Sequence, residues 1–256
     1  MELQTRSPLI FAHRGASAYA PENTLAAFEL AIQQQADLVE IDTKLSADRR
    51  VVVIHDQTVD RTTDGTGRIS GLTYPTLRTL NASYTFKDSY PGEFIPTLEE
   101  VVELCAGRIR LNIELGNYFT PLDHLEVEVS RIIDHYHLQD EVIVSAFHPI
   151  PLRRFHNLSP QVVIGFLARR GMQGYLSRSW LGRALVPYDA LHPEKSDVTP
   201  DLVAASQKFG CPVHTFTVND PAEMAQLVSI GVDGLITDDV LAARAVVNPG
   251  QPIDSE

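Results

Sequence analysis

Cysteine is nearly absent: two residues in 256, Cys105 and Cys211, far apart and without metal-type spacing. No disulfide framework or thiolate metal site follows from them. They read as reduced core thiols rather than a disulfide, which implies a reducing cytoplasm. Long apolar runs are missing as well, and no uninterrupted stretch approaches the ~20 residues that span a bilayer. The first 30 residues offer only Leu9-Ile10-Phe11-Ala12, followed at once by His13 and Arg14. Neither a signal peptide nor stable membrane insertion is expected. Positive charge is in deficit: 21 Lys and Arg against 33 Asp and Glu, a formal net charge of −12. Such a surface repels nucleic acid and anionic membranes. It repels phosphate esters too, so an anionic ligand needs a local positive centre. The chain carries no P-loop, no GxGxxG opening a helix, no HExxH, CxxC or GxSxG, and no basic stripe or aromatic platform for nucleic acid. Internal repeats, low-complexity tracts and domain linkers are likewise missing. Nothing nominates a protein partner or an oligomeric state.

What is present is a soluble globular composition, 44% hydrophobic and 21% charged. The length suits one domain, and a barrel of roughly 250 residues in particular. Short β-branched runs alternate with amphipathic stretches. Candidate strands are Leu9–Ala12, Leu38–Thr43, Val51–Ile54, Arg110–Glu114, Val142–Ala146, Val162–Phe166, Ala184–Tyr188, Val213–Thr217 and Gly234–Thr237. Leu25, Phe28 and Ile32 recur at helical spacing, with Asn23 as the expected N-cap. Leu122–Tyr136 and Thr199–Phe209 behave similarly. Pro221–Ile230 follows Asp220 as a cap and stops at Gly231. Repeated β-α units imply a parallel sheet under helices, and about eight of them favour a closed α/β barrel, the (β/α)8 TIM barrel, over an open sheet. Residues 57–96 break the rhythm with Thr63-Asp64-Gly65-Thr66-Gly67 turn chemistry, a short helix around Leu72–Leu80 and a Tyr90-Pro91-Gly92 turn. The expectation is one catalytic barrel over 1–256 with 57–96 as a small inserted subdomain. The tail after Asn248 is expected to fray.

Barrel enzymes place catalytic groups at the C-terminal ends of strands. His13-Arg14-Gly15 ends the first run and His55-Asp56 ends the third. Alternation puts Glu40 and Asp42 on one face of the second strand, with Val39 and Ile41 opposite. In Leu111-Asn112-Ile113-Glu114 the same rule pairs Asn112 with Glu114. Three carboxylates at one mouth either share protons or bind a cation. Oxygen ligands suit Mg²⁺ or Ca²⁺, and a divalent cation supplies the positive centre that an acidic protein needs for an anion. Arg14 adds bidentate donors for the same anion. His13 and His55 stand out among nine histidines by their strand-end positions, and two imidazoles can divide the roles of acid and base.

These elements, in order, resemble the glycerophosphodiester phosphodiesterase family: His13-Arg14-Gly15-Ala16, Pro21-Glu22-Asn23-Thr24, Val39-Glu40-Ile41-Asp42, His55-Asp56 and Asp60-Arg61-Thr62-Thr63-Asp64-Gly65-Thr66-Gly67. Pro96-Thr97-Leu98, Asn112-Ile113-Glu114, Thr217-Val218-Asn219 and Gly231-Val232-Asp233-Gly234-Leu235-Ile236-Thr237-Asp238 extend the resemblance to the C-terminal part. It implies a barrel with its insertion after the second strand. It also implies Glu40, Asp42 and Glu114 as metal ligands, His13 and His55 as general acid and base, and Arg14 and Phe216 at the substrate. The implied reaction turns a small-molecule glycerophosphodiester and water into glycerol 3-phosphate and an alcohol. A related phosphodiesterase acting on lysophospholipid or phosphoinositol head groups, and a non-catalytic phosphodiester-binding descendant, are the alternative readings. Two positions depart from the family pattern. Gly116 stands where members often carry Lys, and Phe216 where they often carry Trp.

Overall fold

A computed structural model of the chain describes residues 7–86, 89–175 and 177–249. The frayed tail expected after Asn248 falls outside these residues from Gly250 onward. Among the described residues eight strands run parallel: β1 Leu9–His13, β2 Leu38–Leu45, β4 Arg110–Leu115, β5 Val142–Ala146, β6 Val163–Ala168, β7 Ala190–Pro193, β8 His214–Thr215 and β9 Gly234–Thr237. Their order is β7-β6-β5-β4-β2-β1-β9-β8. Parallel bridges Leu191↔Val213 and Glu194↔Phe216 join β8 back to β7, which closes the ring. The short strand β3, Val51–Val53, pairs antiparallel with the far end of β2. The fold is the (β/α)8 barrel with an insertion after its second barrel strand.

Helices α1 Leu25–Gln33, α3 Leu98–Cys105, α4 Leu125–Tyr136, α5 Pro149–Leu158, α6 Trp180–Leu185, α7 Pro200–Lys208, α8 Pro221–Ser229 and α9 Val240–Val247 follow the strands. The outward row of each strand packs beneath them. Ile10 and Ala12, Val39 and Ile41, and Leu111, Ile113 and Leu115 all join this main core. The inward row is different. Phe11, Leu38 and Ile236, with Ile143 and Phe216, fill the barrel interior. His192 and His214 lie buried beside Phe11, whose ring centroid is 4.8 Å from that of His214. The strict alternation therefore reserves the upper inward positions for polar side chains without weakening the outer core.

Between β3 and α3, residues 57–96 form two short 3₁₀ turns and α2, Tyr74–Leu77. Val59, Ile69, Leu77, Ala82 and Ile95 pack together with Val52 and Ile54 of the barrel edge. Among the described residues, no helix is long and apolar enough to cross a membrane. Both cysteines are buried and free.

Two local expectations are corrected. Residues 184–188 do not form a strand: Ala184 and Leu185 close α6, and the strand is Ala190–Pro193. Val186 and Tyr188 are buried in the core, which mimics a strand pattern in sequence. The cap of α1 is Thr24, whose hydroxyl accepts from the Ala27 amide, and not Asn23. Asn23 adopts a left-handed φ of 58° and turns its amide inward.

Candidate active site

The inward positions of β2 and β4 carry the carboxylates. Register pairs His13 with Glu40, Glu40 with Asn112, and Asp42 with Glu114. Ligand-type oxygens of Glu40, Asp42 and Glu114 all lie within 4.8 Å of one another. Burial pushes the Glu40 carboxyl well above its usual range, and the charges of Asp42 and Glu114 push it further. Burial likewise raises Glu114, with Asp42 adding to it, up to about 8. Asp42 goes the other way. Burial raises it, but the Arg14 guanidinium, the two histidines and the Asn23 amide outweigh that and hold it low. Such a cluster does not ionise fully without a positive partner, and its hard oxygens fit Mg²⁺ or Ca²⁺. Asn112 Oδ1 is also buried here without a hydrogen-bond partner.

His13 and Arg14 are set by the turn that ends β1. Gly15 has φ +85°, and a Cβ there would fall 2.6 Å from the Ala27 Cβ, so only glycine lets α1 approach. Arg14 itself has φ 58°, and its amide donates to Glu40 Oε2 at 3.0 Å. Its guanidinium lies 3.2 Å from Asp42 Oδ2 and donates to Glu22 at 2.9 Å. Burial opposes the Arg14 charge, yet Asp42, Glu22 and Glu40 together hold its pKa up. His13 Nδ1 is 2.6 Å from Asp238 Oδ1. Asn219 Nδ2 donates to the other Asp238 oxygen at 2.6 Å, and Ser17 donates to Oδ1 at 3.0 Å. Burial raises Asp238, but His13, Asn219 and Ser17 bring it down to about 2.

His55 repeats the arrangement, with Nδ1 2.6 Å from Asp56 Oδ1. Arg61 grips Asp56 and Glu22 together, through Nε to Asp56 at 2.7 Å and Nη1 to Glu22 at 2.7 Å. Its hydrogen bond is the main force holding Asp56 at about 2. A chain of charge thus runs from His55 through Asp56, Arg61 and Glu22 to Arg14 and Asp42. It ties the insert to the barrel mouth.

His13, Arg14, Glu40, Asp42, His55, Glu114 and Phe216 all line one cavity of about 190 Å³. Phe216 meets Phe147 edge-to-face at 5.7 Å and forms an apolar side of it. The structure adds partners that no single-residue reading assigned: Asp238, Asn219, Asp56, Arg61, Glu22 and Asn23. Each stood within one of the ordered motifs, which was the available signal, but the sequence shows no pairing between them. His192 and His214 lie outside this group. They face each other in the barrel interior, 3.1 Å from His214 Nδ1 to His192 Nε2.

The family model described as the glycerophosphoryl diester phosphodiesterase family matches residues 13–242. A glycerophosphodiester phosphodiesterase of Caldanaerobacter subterraneus is 37% identical, over 90% of this chain and 94% of that protein. One from Bacillus altitudinis is 35% identical over 90% and 94%. Among solved structures, a phosphodiesterase of Oleispira antarctica, in complex with the product sn-glycerol-3-phosphate, superimposes with a TM-score of 0.81 at 31% identity, covering 94% of this chain and 97% of its own. The chain belongs to the glycerophosphoryl diester phosphodiesterase family and is a phosphoric diester hydrolase.

Proposed function

We propose that this chain hydrolyses glycerophosphodiesters to glycerol 3-phosphate and an alcohol, with a divalent cation on Glu40, Asp42 and Glu114 and with His13 and His55 as the acid–base pair. One observation carries the reading. Three carboxylates converge within 4.8 Å in a cavity that two carboxylate-oriented histidines also line. A Mg²⁺ or Ca²⁺ ion held there would supply the positive centre that neutralises a phosphate and stabilises charge on its oxygens.

The chain's own groups do the rest. Arg14, braced by Glu22 and Asp42, offers its remaining N–H donors to the phosphate oxygens. Each histidine has Nδ1 committed to a carboxylate, which leaves Nε2 to exchange a proton. One takes the proton from the attacking oxygen, either water or the substrate's 2-hydroxyl, whose cyclic phosphate water then opens. The other protonates the departing alkoxide as its bond to phosphorus breaks. Phe216 and Phe147 keep water from one side of the reacting group. The buried free thiols support a reducing, cytoplasmic setting.

The test is release of glycerol 3-phosphate from glycerophosphocholine and glycerophosphoethanolamine by the purified chain. It is run with chelator, then with Mg²⁺ or Ca²⁺ restored. Metal-restored release is expected. No release from a folded protein that binds the cation overturns the reading.

A further inference from the structure

The carboxylate cavity has a larger neighbour of about 600 Å³, between the insert and the segment after β4. The two are built in tandem from the same three segments. Asp42, Glu114 and His55 line the smaller cavity. Lys44, Gly116 and Gln57, each two residues further on, line the larger. On β2 that step keeps Lys44 on the inward face with Asp42.

Charge reverses across the step. The smaller cavity gathers three carboxylates, whereas the larger presents Lys44, Arg49 and Arg68 against Asp123 alone among the described residues. Asp123 is already engaged by Asn117 at 2.8 Å, Thr120 at 2.7 Å and the Leu125 amide at 3.1 Å. Arg49 is spent on Glu128 and the Asp123 carbonyl. Lys44 and Arg68 remain. Lys44 is only 7% exposed. Its ammonium donates to the Gly116 carbonyl at 2.6 Å and to no other group among the described residues, so two of its three donors are unspent. Gly116 maintains this seat. A Cβ on residue 116 would lie 2.9 Å from Lys44 Nζ and 2.7 Å from the Thr43 carbonyl oxygen.

We propose that the larger cavity receives the alcohol half of the diester, and that Lys44 and Arg68 select alcohols bearing an anionic group, a phosphomonoester or a carboxylate. This rests on the phosphodiesterase reading above. At about 190 Å³ the carboxylate cavity falls below the ~300–1,000 Å³ of ordinary small-molecule sites, and the cationic cavity falls inside that range. In this proposal the alcohol half of a diester held at the carboxylates extends along β2 and β4 to Lys44 and Gly116, which line the larger cavity two residues beyond Asp42 and Glu114. A choline group, suited to an aromatic cage, meets three cations and the single ring of Phe119 there.

The experiment compares kcat/KM for glycerophosphoinositol 4-phosphate and glycerophosphoserine with that for glycerophosphocholine, using the metal-loaded full chain. The wild type is expected to prefer the anionic alcohols by about tenfold, the worth of one charge-assisted hydrogen bond. Lys44→Met should bring that ratio toward one. Arg68→Ala, at an exposed position, should lower the ratio without a folding cost. Preference for the phosphomonoester alone names phosphate as the ligand chemistry, and preference for both names anionic charge. Equal rates on all three substrates, or a ratio unmoved in Lys44→Met and Arg68→Ala, overturn the proposal. Calorimetric binding of inositol 4-phosphate against choline separates the two readings. Selective binding lost in Lys44→Met upholds the subsite even if no substrate turns over, and equal or absent binding sinks it.

Discussion

At the scale of single residues, His13 and His55 carry the same dependence. Each imidazole is held at 2.6 Å by a carboxylate whose pKa lies near 2, so the orienting charge persists across the working pH range. His13→Ala and His55→Ala should each lower kcat by about 10²–10⁴ while the circular dichroism spectrum stays unchanged. Near-normal turnover in either variant would contradict its assignment as acid or base. The carboxylate cluster predicts a different signature, in stability. Glu40 and Glu114 are raised because their charges are buried together. Glu114→Gln removes the cost of keeping that carboxyl protonated near neutral pH, where the unfolded chain ionises it, so the metal-free variant should melt higher than the metal-free wild type. It should also lose the upward shift expected of the wild type on adding Mg²⁺ or Ca²⁺. A variant that melts lower, or still responds fully to cation, argues against a shared ion.

At the scale of elements, capping and burial explain what short segments do. Thr97 and Glu100 form a reciprocal capping box at the start of α3, and Glu100 also receives the Tyr74 hydroxyl and Arg78 from the insert. Thr97→Ala should cost about 1 kcal/mol in urea unfolding. β7 and β8 contribute the buried pair His192 and His214. Burial brings His214 down to about 4, and burial with the neighbouring His214 lowers His192 well below its normal value. The unfolded chain titrates histidine near 6.5. Between pH 6.5 and 4 the unfolded state takes up protons that the folded state refuses, so stability falls as pH drops through that window. For His214 the expected loss is about 2 kcal/mol from pH 6.5 to 5, and His192 adds to it in the same direction. His192→Gln should flatten the pH dependence of the urea midpoint. An unchanged slope would place the acid sensitivity elsewhere.

At the scale of the whole molecule, the barrel holds the carboxylates and the insert holds His55 in place. His55, Asp56 and Arg61 lead into the insert, whose own cluster centres on Ile69 and Leu77. Ile69→Ala should cost about 2–4 kcal/mol in that cluster. Hydrogen exchange should then speed up over residues 57–96 while β1 and β2 keep their protection, and kcat/KM should fall with it. Equal loss of protection in insert and barrel would show that they unfold as one unit.

The sequence by itself determined the alternation of strand and helix, and thereby the barrel. It also determined which face of β2 and β4 bears Glu40, Asp42, Asn112 and Glu114, because a period of two follows from backbone geometry alone. It left three kinds of feature to tertiary structure. The position of β7 depended on a partner strand, since Val186 and Tyr188 are buried as deeply as a strand would be. Asn23 abandoned the cap expected of it because Asp42, nineteen positions away, supplies a buried hydrogen-bond partner at 2.9 Å. The pairs His13–Asp238 and Lys44–Gly116 join residues 225 and 72 positions apart. Local propensity carries no information on such pairs. They exist only once the parallel ring closes and brings β1 beside β9 and β2 beside β4.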